Sequence, residues 1–404
     1  MKYDFTTIME RKGKDAIAVD LIGKFPGFAP SKPKEGFDVL PMWVADMNFA
    51  TAPSIQEAMI ERIKHPAFGY FKLRDEYYDS IINWQKKQFG ITSLTKENIG
   101  YQNGVLGGVI SALNVLCSRG DNVLLHSPTY IGFTHALGDN GYNIVHTPLI
   151  KDEQGIWRMD FDDMERKIIK NKIHAAIFCS PHNPTGRVWE RTELEKVMEL
   201  YKKHNVYVIS DEIWSDLILE GHKHIPLSSI NEDAKMRTIS MYAPSKTFNL
   251  AGLIGSYHVI FNEYLRDRVN KESSISHYND CNVLSMYALI GAYNSVGSEW
   301  LKELLEVLND NANYAYDFIN SNFEGVSLSK PEGTYMIYID VSGWCKVHNI
   351  TLAELLKKGS DVGVGWQDGS RFKVPYTIRV NLALPKSEVI KAFHRLDKYV
   401  FNSK

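Results

Sequence analysis

At 404 residues the chain exceeds what one compact core usually organises, and two domains are expected. Hydrophobic residues at 44% and charged residues at 23% are the proportions of an ordinary folded protein. With 46 basic against 48 acidic residues, the net charge of −2 gives no reason to expect a nucleic acid or an anionic membrane as partner.

The first stretch carries Asp4, Glu10, Arg11, Lys12, Lys14 and Asp15 and no apolar core, so no secretory leader is expected. No apolar run approaches the roughly 20 residues needed to cross a bilayer, and a cytoplasmic location is expected. Cys117, Cys179, Cys281 and Cys345 are scattered, and the histidines show no metal-binding spacing. Neither a disulfide framework nor a metal site is expected.

In chain order, Leu106, Val109, Ile110, Leu113 and Leu116 fall at helical spacing, and a strand follows at 122–126. Apolar strands are predicted at 172–179, 206–210, 237–241 and 256–261. Between the first two, Leu194, Val197, Met198 and Tyr201 mark a helix in which Thr192 and Glu195 have the spacing of a capping box. This alternation of strand and helix predicts a mostly parallel sheet covered on both faces. Beyond about residue 290 the pattern changes to a long helix at 299–320, strands at 335–341 and 376–382, and a final helix at 386–399. There is no internal repeat.

Three of the strands lead into polar residues whose chemistries fit together. Strand 172–179 runs into Ser180-Pro181-His182-Asn183-Pro184-Thr185-Gly186, and 206–210 ends in Asp211-Glu212. Strand 237–241 leads to Ser245-Lys246-Thr247-Phe248-Asn249-Leu250-Ala251-Gly252-Leu253. In open α/β sheets, ligands sit beyond the carboxyl ends of strands. A lysine there is desolvated, which disfavours its charged form and frees the amine to attack a carbonyl. Singly, Asn183 reads as a turn residue before proline and Asp211 as a strand-end cap. Together, an amine for the aldehyde, a carboxylate for the pyridine nitrogen and an amide for the ring hydroxyl match pyridoxal phosphate. Asn103-Gly104-Val105-Leu106-Gly107-Gly108, at a helix start, is either an ordinary glycine-rich turn or a set of amides for the phosphate.

These segments, with Trp43-Val44-Ala45-Asp46-Met47-Asn48-Phe49, Pro331-Glu332-Gly333-Thr334-Tyr335 and Ile378-Arg379-Val380-Asn381, resemble fold type I pyridoxal-phosphate enzymes, the aspartate aminotransferase superfamily. Within it they are similar to the cystathionine β-lyase and cysteine-S-conjugate β-lyase group called the MalY/PatB family. The resemblance covers nearly the whole chain and implies an α/β, PLP-dependent transferase-like fold. A large domain at 46–290, with a mostly parallel seven-stranded sheet, would be joined to a smaller α+β domain from 1–45 and 291–404.

It also implies roles. The amides of Val105 and Leu106 would bind phosphate, assisted by the Ser245 hydroxyl. Tyr70 would reach the phosphate from the partner subunit of a homodimer, and Tyr130 would stack on the pyridine ring. Arg379, whose fork suits a carboxylate, would bind the substrate together with Asn183 and Trp43. Trp214 takes a position near the ring hydroxyl where many relatives have Tyr or His. Further departures are Ile254, where aminotransferases carry a phosphate-binding Arg, Ala243 in place of a frequent Ser, and Asn48 in place of a commoner Asp. The activity implied is α,β-elimination on cysteine S-conjugates such as cystathionine, with Lys246 removing the α-proton. An aminotransferase of the same fold, and a regulatory protein that binds a partner protein with the cofactor as ligand, stay open at this point.

Overall fold

The computed structural model describes residues 1–24, 30–275, 277 and 279–402. Its central sheet has seven strands: β1 (Ile99–Gln102), β2 (Asn122–Ser127), β3 (Asn143–Pro148), β4 (Ala175–Cys179), β5 (Tyr207–Asp211), β6 (Thr238–Tyr242) and β7 (Ser256–Val259). They lie in the order β1-β7-β6-β5-β4-β2-β3. All pairings are parallel except those of β7, which runs against both of its neighbours.

Successive side chains of a strand point to opposite faces, and here both faces are covered, so the central strands are mostly apolar. Val123, Leu125, Ile177, Ile209 and Met241 pack on helix α1 (Val105–Leu116) through Val109, Ala112 and Leu113. Their chain neighbours Leu124, Ala176, Phe178 and Val208 pack the other way. They meet Met164 and Ile168 of α3 (Phe161–Asn171) and Leu194 and Val197 of α4 (Arg191–Lys203). Between β2 and β3 lies α2 (Ile131–Asp139). Truncating a residue at the middle of this sandwich, such as Ile209→Ala, costs about 2–5 kcal/mol by the usual cavity penalty.

A second sheet is antiparallel throughout, in the order β8-β9-β11-β10, from β8 (Ser327–Leu328), β9 (Met336–Asp340), β10 (Gln367–Asp368) and β11 (Thr377–Asn381). Ile337, Ile339, Ile378 and Val380 share a core with Leu304, Leu308 and Ala315 of α5 (Ser295–Asn322) and with Val389 and Phe393 of α6 (Lys386–Leu396). The register sets Arg379 on β11 opposite Tyr338 on one side and Gln367 on the other. Among the described residues no helix is long and apolar enough to cross a membrane.

Several boundaries differ from the sequence expectation for local reasons. Lys172 adopts φ 51° and closes α3 as its C-cap, so β4 begins only at Ala175. The capping box of α4 is formed by Glu190 and Glu193, not by Thr192 and Glu195. The same spacing occurs two residues earlier, and there Glu193 also receives Arg187, which anchors the helix start. The long helix begins earlier than predicted, at Ser295, because Asn294 caps it by accepting from the Gly297 amide. The last helix passes at Leu396 into a π-helical turn, Asp397–Phe401.

Candidate active site

The loops leaving the carboxyl ends of β2, β4, β5 and β6 enclose a cavity of about 210 Å3. Lys246, Asp211, Asn183, Tyr130, Ser245, Trp214, Val105 and Leu106 line it. Residues drawn from five separate stretches of sequence therefore converge where an open α/β sheet places its ligand.

Lys246 follows β6 and is partly exposed, into the cavity. Its Nζ donates to the Ala45 carbonyl at 2.9 Å and sits 5.7 Å from the centre of the Trp214 ring. Burial, helped by the positive charge of Arg379, lowers its pKa to about 8, against the opposing pull of Asp46 and Asp211. At pH 7 about a tenth of this amine is uncharged and nucleophilic, far more than for an exposed lysine.

Asp211 and Glu212 are adjacent and both buried, yet the alternation at the end of β5 gives them opposite surroundings. Glu212 accepts from Ser210 Oγ at 2.9 Å, from Tyr242 Oη at 2.8 Å and contacts His224 Nε2 at 2.8 Å, so its oxygens are engaged inside the fold. Asp211 faces the cavity, and among the described residues its carboxyl accepts only from the Ile213 amide, at 3.1 Å. Burial raises its pKa to about 7. A cationic N–H opposite this carboxyl would offset that burial, and a protonated pyridine nitrogen is such a group.

Helix α1 starts at the cavity wall. Gly104 is its N-cap with φ 79°, a conformation glycine adopts without strain, and Val105 and Leu106 are its first helical residues. The amides of a first turn have no partner within the helix and suit an anion. Ile254, at φ 49°, lies beside this start: its Cγ2 is 3.7 Å from where a Cβ on Gly104 would sit. The wall near the helix start is thus apolar on that side, with Ala243 and Ala251 also lining it. Tyr130 caps α2, and its ring folds over Gly132, where a Cβ would come within 2.3 Å of the Tyr130 ring.

Arg379 stands directly behind Asn183. Its Nη1 donates to Asn183 Oδ1 at 3.0 Å, and its Nη2 donates to Gln367 Oε1 at 2.6 Å and to the Trp43 carbonyl at 3.4 Å. Phe372 covers one face of the guanidinium at 4.7 Å. Among the described residues Nε is buried without a hydrogen-bond partner, and no carboxylate pairs with this guanidinium. Burial lowers the pKa of this arginine to about 10.

Two predicted residues stand elsewhere. The Trp43 side chain is buried and its indole donates to the Ala18 carbonyl at 2.9 Å, so its contribution here is the backbone oxygen that Arg379 contacts. Tyr70 is fully exposed, at 111%, and lines a separate cleft with Phe68, Tyr101 and Cys281. Conversely, Ala45, Gln367 and Tyr335 carry parts of the site that had no assigned role from sequence. Ala45 acts through a backbone carbonyl and Gln367 through sheet register, neither of which leaves a side-chain signature in one sequence. Tyr335 lies in a recognised motif, but its partner, again the Ala45 carbonyl at 3.0 Å, is revealed only by the fold.

Residues 38–396 match the family model for aminotransferase class I and II. The chain belongs to that family. It is 35% identical over 350 residues to cystathionine beta-lyase PatB of Bacillus subtilis, covering 87% of this chain and 88% of the relative. The PLP-bound C-S lyase of Staphylococcus hominis superposes with a TM-score of 0.88 at 31% identity, over 99% of this chain and 98% of that one. Cystalysin of Treponema denticola, whose structure contains a pyridoxal 5'-phosphate cofactor, gives 0.89 at 29% identity over 99% of each chain. The fold is that of the type I PLP-dependent enzymes.

Proposed function

We propose that the protein catalyses α,β-elimination on an L-amino acid with a β-thioether, cystathionine or another cysteine S-conjugate, using pyridoxal 5'-phosphate and releasing a thiol, pyruvate and ammonia. The strongest support is the pairing, in one cavity, of a lysine amine with a lowered pKa and a buried carboxyl that the fold leaves almost unpartnered. The likeness to lyases named for cystathionine and for C–S cleavage supports the reaction type.

The residues present fit the cofactor. Lys246 would hold its aldehyde, Asp211 its ring nitrogen, Asn183 its hydroxyl, Tyr130 one ring face, and Trp214 the wall beside the lysine. The amides of Val105 and Leu106 and the Ser245 hydroxyl would hold its phosphate. With Ile254 in the wall instead of a cation, Tyr70 of a second subunit completes the phosphate site in a homodimer. Its full exposure, beside Phe68 at 55%, suits an interface position. The division into a large domain, 46–290, and a small one from the remaining residues belongs to the same reading.

When bound, the cofactor supplies an electron sink for the pair left on Cα. Arg379 binds the α-carboxylate and, with Asn183, orients the Cα–H bond. Lys246 takes the proton from Cα, a task matched by a pKa near the working pH. Asp211 keeps a proton on the pyridine nitrogen. The thiolate then leaves from Cβ; with a thiol pKa of about 8.5 it needs little acid assistance. Water hydrolyses the remaining enamine to pyruvate and ammonia.

The family model also favours a second reading, an aminotransferase, which uses the same residues through proton removal. Product analysis separates the two. Cystathionine should give pyruvate and thiol at full rate with no keto acid present. If thiol is absent and turnover requires a keto acid, the protein is an aminotransferase.

A further inference from the structure

Residues 43–47 form a strap between the two halves of the site. Asn381 donates to the Val44 carbonyl at 2.7 Å and to the Asp46 carbonyl at 2.6 Å. Arg379 donates to the Trp43 carbonyl at 3.4 Å. From the lysine loop, Asn249 makes a two-point contact with the Met47 backbone: Met47 N–H donates to Asn249 Oδ1 at 2.9 Å and Nδ2 donates to the Met47 carbonyl at 3.0 Å. At the centre of this strap the Ala45 carbonyl takes two donors, Lys246 Nζ at 2.9 Å and Tyr335 Oη at 3.0 Å.

A carbonyl oxygen has two lone pairs, and this one is engaged by two groups. The tyrosine holds one lone pair and leaves the amine the other, which limits the directions in which the amine can point. Tyr335 is itself fixed: it is buried, and the Trp214 ring meets it edge-on at 4.7 Å between centroids. Trp214 in turn lies under the Lys246 amine. We propose that Tyr335 is a positioning residue for the Lys246 amine, acting through the Ala45 carbonyl that both groups share.

Removing the phenol frees the second lone pair, so the carbonyl becomes a better acceptor for the ammonium form and the amine loses its fixed direction. The other charged or titratable groups around this amine are Asp211 and Cys179 at the strand ends, Asp46 on the strap in its ion pair with Arg11, Arg379 on β11 and Tyr130 at the start of α2. None of them is altered by Tyr335→Phe. The phenol stays a neutral donor across the working range, because burial pushes its own ionisation well above the usual tyrosine value.

The idea rests on the functional reading only for the role of Lys246, and its test begins on cofactor-free protein. An amine-reactive sulfonate reagent, applied over pH 6–10 with peptide mass mapping, reads the protonation midpoint of Lys246, with exposed Lys87 as internal reference. Tyr335→Phe should raise that midpoint by about half a unit or more. Tyr201→Phe, at a buried tyrosine of α4 in the core against the sheet, should leave the midpoint unchanged. In the PLP-loaded enzyme, Tyr335→Phe should lower kcat about tenfold with KM within about twofold, as misdirection of a catalytic group does. An unchanged Lys246 midpoint, or a loss confined to KM, overturns the proposal. Absence of pyruvate from the wild type would sink the lyase reading while leaving the labelling result standing.

Discussion

Two arginines in this molecule are equally buried, Arg187 at 3% and Arg379 at 4% exposure, and their surroundings are opposite. Arg187 meets three carboxylates: Glu190 at 2.9 Å, Glu193 at 2.6 Å and Glu332, with the Trp157 and Val188 carbonyls completing its donors. Arg379 meets an asparagine, a glutamine and a backbone oxygen, and one of its nitrogens has no partner. Neutral acceptors satisfy hydrogen bonds without neutralising the charge. Such a cation is costly to bury and is ready for an anion from outside. The first arginine finishes the fold; the second, on the proposed reading, takes the substrate's carboxylate. Glu212 and Asp211 repeat the contrast among the acids, side by side at the end of one strand.

If this contrast is right, substitutions in the under-partnered set should cost activity, and those in the fully partnered set should cost stability. Lys246→Ala has the largest expected effect on activity, a loss of more than about a thousandfold, together with loss of the visible absorbance of lysine-bound cofactor. Its melting temperature without cofactor should be no lower than that of the wild type. Borohydride reduction that still attaches cofactor to the variant chain would show that another amine does the work.

Arg379→Ala should lower kcat/KM about a hundredfold or more, as loss of a desolvated charge contact does. Cofactor-free stability should hold or rise, because an unneutralised buried charge is gone; denaturant titration reads this. Asp211→Asn should keep bound cofactor and lose at least about tenfold in rate, since the hydrogen bond to the ring nitrogen matters most as charge moves into the ring.

Asp211 also sets a pH signature. Its folded pKa of about 7 lies above the ordinary value of 3.8, so the folded, cofactor-free protein binds more protons than the unfolded chain in between. Stability from this group is present in full below about pH 4 and is lost as pH rises towards 7. Lys246 has the reverse sign: its folded pKa of about 8 lies below 10.5, so its contribution to stability rises between those values. Asp211→Asn should flatten the lower slope alone. Arg187→Met has the smallest expected effect on activity, with turnover of the folded fraction within about twofold. Stranding its three carboxylates should lower stability by about 3 kcal/mol. A variant that melts normally but has lost turnover would place Arg187 in the wrong set.

Much of the fold is legible in the sequence because apolar runs ending in polar residues mark strands whose carboxyl ends meet. That pattern alone relates Asn183, Asp211 and Lys246 to one another. Their surroundings are not legible in the same way. That Asp211 faces the cavity and Glu212 the protein depends on which face of β5 each residue takes. That Gln367 holds Arg379 depends on a cross-strand register that no local pattern encodes. Ala45 is silent in sequence because its part is played by the main chain, whereas Trp43 is prominent there although its side chain serves the core. Helix limits such as Lys172 and the Glu190–Glu193 box turn on single residues whose alternatives, two or three positions away, have the same spacing.

The claim that Arg379 is held charged and unpaired for the substrate's α-carboxylate is tested most directly by a double comparison. S-ethyl-L-cysteine and its α-carboxamide, neutral at the carboxyl position, are assayed for thiol release by the wild type and by Arg379→Ala. The wild type should favour the acid over the amide by about a hundredfold or more, and Arg379→Ala should bring the two substrates to within a few-fold. Equal discrimination in both proteins would contradict the account and put the carboxylate elsewhere.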